Sequence, residues 1–401
     1  MMNENDLMEC AVAVRMTCCN PEIIGKPAPA PFAVFSSTDA AKSLSESAER
    51  LERSGAEGPA VFLPGDVVPQ KAAEIVAARI ADDGRAPSIV AIEKTGLFAT
   101  GPTAAMCTRT LSALEGGEAA APEPGTGGRM AGASVLITGG ARGFGRGLAE
   151  ELASEGACVA VADINDEEGG KTARAINRAY GGGTAIYRRA DVTSAESMDS
   201  CVRSAVMAFG GLDMLISNAG ILKAGGLDEI EEKDFDMVTA VNYKGYFICA
   251  RSAAAVMKLQ HRYNPDYYMD IIQVNSKSGL EGSKRNFAYA GGKFGGIGLT
   301  QSFALELLES RIKVNAVCPG NYLDGPLWSD PDKGLFVQYL KAGKVKGAET
   351  VEDVRRHYVS KVPMGRGCNP SDVAKAVYYL REQEYETGQA LPVTGGQVMM
   401  G

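Results

Sequence analysis

Histidine is almost absent from this chain: its 401 residues include only His261 and His357. A metal centre built from several histidines is therefore excluded, and no histidine is available before His261. Positive charge is also in deficit, with 41 Lys and Arg against 49 Asp and Glu, a net charge of −8. That balance argues against a nucleic-acid or anionic-membrane surface, since both require clustered cations. No apolar run approaches the roughly 20 residues that span a bilayer. Near the start, Asn3, Glu4 and Asp6 stand where a signal peptide would carry Lys or Arg, and the apolar stretch Ala11–Val14 is too short for one. A cytoplasmic protein is expected. The nine cysteines are odd in number and form no CxxC pair, and Cys10, Cys18 and Cys19 match no zinc spacing, so free thiols and no metal are expected.

What is present is the balance of a soluble globular chain, 45% apolar and 22% charged residues, at a length that suits two domains. The composition shifts at Glu115–Met130 (EGGEAAAPEPGTGGRM), which has little to bury and reads as a linker. Residues 1–130 are thus expected to be a small α/β domain plus linker, and residues 131–401 a larger domain. Before the linker, residues up to about Pro31 read as mobile. Short apolar runs at Ala33–Phe35, Ala60–Leu63 and Ile89–Ile92 then alternate with helical stretches at Ala40–Arg53, Lys71–Ala81 and Thr103–Leu114, which suggests parallel strands. After the linker, seven such runs start at Val135, Val159, Ile186, Met214, Ile271, Lys313 and Ala390, with helical stretches between them. Continuous apolar runs of this length are buried parallel strands, so the second domain is expected to be a doubly wound sheet of the Rossmann type.

The first of these runs leads directly into Thr138-Gly139-x-x-x-Gly143-Phe144-Gly145 and then a helix. A strand, a glycine turn and a helix N-terminus together let the backbone approach a pyrophosphate and offer it amide donors. The next strand ends at Asp163-Ile164, and Asp163 lies 24 residues beyond Gly139, where a carboxylate accepts hydrogen bonds from the adenosine ribose. Arg142 pulls the other way, towards a 2′-phosphate. A carboxylate about 4 Å from that phosphate would cost on the order of 4 kcal/mol at an effective dielectric near 20, so NAD is expected over NADP.

Tyr289-Ala-Gly-Gly-Lys293 sets a phenol and an ammonium four residues apart, on one face of a helix. A nearby cation favours phenolate, so the Tyr289 pKa is expected to move down. Ser276, at a strand end, precedes Tyr289 by 13 residues.

With Asp191-Val192, Ser217-Asn218-Ala219-Gly220, Asn242 and Pro319-Gly320, these motifs follow one another as in the short-chain dehydrogenases, and from about Ala131 to Gly401 the chain resembles that family. The resemblance implies that Tyr289 donates or accepts the proton and that Lys293 binds the nicotinamide ribose and tunes Tyr289. It also implies that Ser276 bonds the substrate oxygen and that Asn242 holds a water in the proton relay. Gly139, Arg142, Gly143, Phe144, Gly145, Asp163, Ile164, Pro319 and Gly320 would line the cofactor. Asp191 and Val192 would contact adenine, and Asn218, Ala219 and Gly220 would wall the cleft. A homodimer or homotetramer is the family's expectation.

A narrower resemblance lies in Ser276-Lys277-Ser278-Gly279, Gly282-Ser283-Lys284 and the closing VTGGQVM, which are similar to the sorbitol-6-phosphate 2-dehydrogenases. These interconvert sorbitol 6-phosphate and fructose 6-phosphate with NAD. On that reading Lys223, Lys277 and Lys284 are candidates for a substrate phosphate, and Asn321 for a substrate contact. Another sugar-derived alcohol, or a non-catalytic NAD-sensing regulator, is the alternative. Two departures stand out: Asp324 follows Pro-Gly where many relatives have Thr, and Ser217 replaces the first Asn of Asn-Asn-Ala-Gly. Asn321–Lys361 is long and polar, as a substrate lid would be. In the first domain, Ser88–Thr103 resembles a segment of class II sugar-phosphate aldolases, but Thr95 stands where some of these carry a metal-binding His. That domain is expected to be non-catalytic.

Overall fold

A computed structural model describes residues 2–24, 30–53, 58–116, 127–341 and 343–399. The central part of the expected linker, residues 117–126, lies outside them.

The larger unit is a seven-stranded sheet of β5 (Ser134–Thr138), β6 (Cys158–Asp163), β7 (Ala185–Arg189), β8 (Met214–Ser217), β9 (Met269–Val274), β10 (Ile312–Pro319) and β11 (Ala390–Val393). Its order is β11-β10-β9-β8-β5-β6-β7, and every neighbouring pair is parallel. Parallel strands require crossovers, and the helices fall on both faces. Helices Gly143–Ser154, Asp166–Tyr180 and Pro370–Glu382 share one core layer; Ala195–Phe209, Gly245–Tyr263 and Phe287–Leu307 share the other. The strand order reverses between β5 and β8. Crossovers leave that point in opposite directions and open a crevice at the strands' C-terminal ends.

The smaller unit departs from expectation in three ways. First, within the stretch read as mobile, of which residues 25–29 lie outside the described residues, Glu4–Thr17 form a helix with Cys10–Thr17 buried. Asn3 caps it by accepting the Asn5 and Asp6 amides. It packs against helices Pro69–Asp83, Ala195–Phe209 and Gly245–Tyr263, and burial on several sides removes the one-sided apolar stripe that would mark it in sequence. Second, the sheet is mixed. Strands β1 (Phe32–Ser36), β2 (Ala60–Leu63), β3 (Ile89–Ile92) and β4 (Gly96–Gly101) lie in the order β1-β4-β3-β2, and only β2 and β3 are parallel. The unexpected strand is β4. Glu93-Lys94-Thr95, with Lys94 at φ 55°, makes a three-residue hairpin loop that returns the chain antiparallel to β3. Third, Ala40–Arg53 divides into two short helices, Asp39–Leu44 and Ala48–Arg53.

A continuous core joins the two units, with Phe32 of β1 set edge-on to Phe209 at a centroid distance of 6.3 Å. At their junction Arg15 is fully buried. It donates to both Asp213 oxygens at 2.9 and 2.6 Å, to the Pro31 carbonyl at 2.7 Å and to the Gly132 carbonyl at 3.1 Å. Asp213 also accepts the Ser134 amide at 2.7 Å. Burial opposes both charges, but each partner holds the other ionised: Arg15 titrates above its usual range and Asp213 below. Asp213 and Gly132 precede β8 and β5, so the smaller unit docks at the N-terminal ends of the parallel strands. At about 3.3 Å per residue, a five-residue strand puts that junction about 16 Å from the crevice.

Candidate active site

A cavity of about 940 Å³ opens at the C-terminal ends of β5, β6, β8, β9 and β10. Gly139, Arg142, Gly143, Phe144 and Asp163 line one part, followed by Asn218, Ala219 and Gly220. Ser276, Tyr289, Lys293, Pro319, Gly320 and Asn321 come next, with Lys277 and Lys284 beyond. The chain thus brings most of the sequence-derived candidates into one space.

The glycine turn is shaped for a close approach. Gly143 adopts φ 57° at the first residue of its helix, with nothing within 4 Å of where a Cβ would project. Gly145 is packed so tightly that a Cβ would lie 2.1 Å from the Gly139 carbonyl oxygen, so it serves the fold of the turn from behind. Asn218 ties the two sides of the switch point together by donating to the Thr138 and Gly139 carbonyls at 3.0 and 3.1 Å. The Asp163 carboxylate accepts the Ala141 and Asn165 amides at 3.0 and 2.9 Å, which fixes its direction at the rim. An open amide-bearing helix start and an oriented carboxylate fit a dinucleotide.

At the reacting end, Tyr289 stands on helix Phe287–Leu307 and lines the cavity together with Ser276. Ser276 is held in turn: its amide donates to Asn275 Oδ1 at 2.8 Å and its Oγ accepts the Ser278 amide at 3.1 Å. Lys293 is buried, donates to the Val274 carbonyl at 2.9 Å and lies 5.6 Å from the Tyr289 ring centroid. Burial brings its pKa down to about 8. The expected downward shift of Tyr289 is not what this arrangement produces. Burial raises the phenol's pKa, and the nearby Ser276 side chain only partly offsets it, with the Lys293 ammonium engaged by a carbonyl.

Other candidates sit elsewhere. Asn242 lies on a π-helical turn, Ala240–Lys244, that interrupts the long helical stretch from Glu232 to Tyr263. Its side chain is taken up by Ile221, accepting the amide and donating to the carbonyl, both at 2.8 Å. Any relay water would therefore have to be held through the main chain of that turn. Asp191 is exposed and accepts from Thr193, Val192 packs inward and Ile164 is exposed; none of the three lines the cavity. Lys223 also lies outside the lining, paired with Asp234 at 3.2 Å. Lys277 does line it, but pairs with Glu281 at 3.3 Å. Asp324 turns away to Arg355.

Sequence reasoning read Asn321–Lys361 as a mobile polar lid and Asn321 as a contact, but named none of the other cavity residues that the segment carries. Residues 321–361 carry their own core, in which Trp328 contacts Phe336, Tyr339 and Tyr358, and they deliver Trp328, Tyr339, Lys344, His357, Tyr358 and Lys361 to the cavity. Tyr322 packs on Phe144 of the glycine turn at 5.0 Å. The chain's single tryptophan inside a polar stretch was the available signal.

A doubly wound parallel sheet with a glycine-turn crevice and a Ser-Tyr-Lys cluster defines a nucleotide-dependent oxidoreductase. The chain belongs to the short-chain dehydrogenase family: the "short chain dehydrogenase" model matches residues 133–329. The chain is 39% identical over 270 residues to sorbitol-6-phosphate 2-dehydrogenase of Escherichia coli K12, covering 66% of this chain and 98% of that protein. Among solved structures, sorbitol-6-phosphate 2-dehydrogenase from Erwinia amylovora is similar at TM-score 0.61 and 39% identity, over 67% of this chain and all of that one. A 3-ketoacyl-(acyl-carrier-protein) reductase from Brucella melitensis, complexed with NADH, matches at TM-score 0.56 and 26% identity, over 67% of this chain and all of that one. The chain is thus an oxidoreductase of a family that binds nicotinamide cofactors. Among the described residues no helix is long and apolar enough to cross a membrane.

Proposed function

We propose that this protein interconverts a polyol phosphate and a ketose phosphate with NAD, with sorbitol 6-phosphate and fructose 6-phosphate as the leading pair. The observation that carries the reading is the convergence of Ser276, Tyr289 and Lys293 with the glycine turn and Asp163 in one cavity. The similarity to sorbitol-6-phosphate 2-dehydrogenases over nearly their whole length supports the substrate class. Asp163 supports NAD, since its fixed carboxylate would accept ribose hydroxyls and repel a 2′-phosphate.

When bound, the nicotinamide supplies the hydride acceptor or donor. The chain's own residues handle the proton and the position of the substrate. Ser276 holds the substrate oxygen, and Tyr289 takes the hydroxyl proton in oxidation or returns it in reduction. Lys293 stabilises the phenolate and binds the nicotinamide ribose, and the π-turn at Asn242 links the site to a relay water. The smaller unit, docked at the opposite strand ends, serves assembly and stability rather than chemistry. The apolar side chains left exposed on helices Gly245–Tyr263 and Phe287–Leu307, Phe247, Phe294 and Leu305, suit a homodimer or homotetramer. The direct test is NADH formation across a panel of polyols and polyol phosphates. Sorbitol 6-phosphate should give the highest kcat/KM, and turnover of none of them would overturn the reading.

A further inference from the structure

The cavity has an unbalanced charge at its substrate end. Lys277, Lys284, Arg285, Lys344 and Lys361 line it, while Asp163, at the cofactor end, is its only carboxylate among the described residues. Lys277 and Arg285 already have partners, Glu281 and Glu229. Among the described residues, no carboxylate lies within ion-pair reach of Lys284, Lys344 or Lys361. The last two come from residues 321–361 and sit on aromatic rings: Lys344 Nζ lies 3.7 Å from the Tyr339 centroid, and Lys361 Nζ 5.0 Å from that of Tyr358. The two rings are themselves 5.5 Å apart. Asn286, at the start of the catalytic helix three residues before Tyr289, lines the same cavity as Tyr339. The tyrosine pair brings its two ammonium groups into the cavity that Tyr289 also lines.

We infer that Lys344 and Lys361, with Lys284 of the same cavity lining, form the site for the phosphate monoester of the substrate. This rests on the polyol-phosphate reading above and specifies where its anion is held. Gathering like charges in a half-enclosed space is unfavourable unless an anion joins them. Lys344 registers this, its pKa lowered first by burial and then by Arg285 and Lys361. A phosphate dianion relieves that repulsion and takes charge-assisted bonds from each ammonium, while the ring faces keep the lysines aimed inward. Lys223 stands apart from this site, outside the cavity lining and paired with Asp234.

The test compares kcat/KM for sorbitol 6-phosphate and for sorbitol in the full-length protein. The unmodified enzyme should favour the phosphate ester. In the Lys344→Gln/Lys361→Gln double variant that ratio should fall by about thirtyfold or more, mainly through KM, the scale of losing charged hydrogen bonds. Competitive inhibition by inorganic phosphate should weaken in parallel. The Lys344→Arg/Lys361→Arg variant should retain most of the preference, which separates charge from packing. Lys346→Gln, on the same segment but outside the cavity lining, should leave the ratio within about twofold, well below the scale of a lost charged contact. If the unmodified enzyme favours the phosphate ester but the Gln double variant keeps that preference, the anion is held elsewhere and only this site assignment falls. If the unmodified enzyme uses both polyols equally, the substrate reading itself falls, and the site with it.

Discussion

The two units are both alternations of strand and helix, yet only one makes a site. In the larger unit every strand pair is parallel, and the order reverses at β5 and β8. The loops leaving those strands diverge, and the crevice between them holds the glycine turn, Asp163 and the Ser276 strand end. In the smaller unit the β3–β4 hairpin places an antiparallel strand at the centre of the sheet, so among the described residues no two adjacent parallel strands send their crossovers apart. The difference teaches that alternation alone does not make a binding crevice; the direction in which neighbouring crossovers depart does. The smaller unit spends its polar chemistry on Arg15, which reaches into the base of the larger sheet.

The comparison can be broken first at that junction. Arg15→Met leaves Asp213 buried without its cation and should cost about 3–5 kcal/mol of stability, read by denaturant unfolding. The kcat of the protein that remains folded should stay within about twofold, because the junction lies a strand length, about 16 Å, from the chemistry. A large fall in kcat with stability intact would place the smaller unit in the catalytic machinery.

At the other strand ends the effect should be on rate. Tyr289→Phe should reduce turnover by at least about a hundredfold, the scale of lost general acid–base help, or about 2.7 kcal/mol. NADH binding, followed by cofactor fluorescence, should persist. Near-normal turnover would remove Tyr289 from its role.

A smaller change is expected at the rim. Asp163→Ala should narrow or reverse the preference for NAD over NADP, by about tenfold or more in the kcat/KM ratio, since one charge repulsion is lost. Unmodified enzyme that favours NADP would show that Arg142 outweighs the carboxylate.

The mildest expected effect is on pH. Burial lowers the Lys293 pKa from 10.5 to about 8, so its ammonium is intact below that pH and lost above it. The kcat/KM for ketose reduction should fall as pH rises through about 8, and Lys293→Arg should move that inflection upward. Between about 8 and 10.5 the unfolded chain holds a proton that the folded chain does not, so this group's burial penalty is relieved as pH rises. A profile with no inflection in that range would mean that Lys293 keeps its charge when cofactor is bound.

The sequence by itself determined the doubly wound sheet, because buried parallel strands must be short continuous apolar runs, and all seven were readable. It also determined the glycine turn and the Ser276, Tyr289 and Lys293 positions, whose spacing is set by a strand end and a helix face. Tertiary structure alone decided the rest. Helix Glu4–Thr17 carries no one-sided stripe because neighbours cover it on several sides, so the stretch read as mobile. The place of β4 depended on a hairpin with a left-handed Lys94, a conformation that residue type does not announce. Which lysines face the cavity was undecidable from spacing. Lys223 and Lys277 found carboxylates, while Lys344 and Lys361 were carried in by an aromatic core distant in sequence from Tyr289. Charge sits in the sequence, but its partners are chosen by the fold.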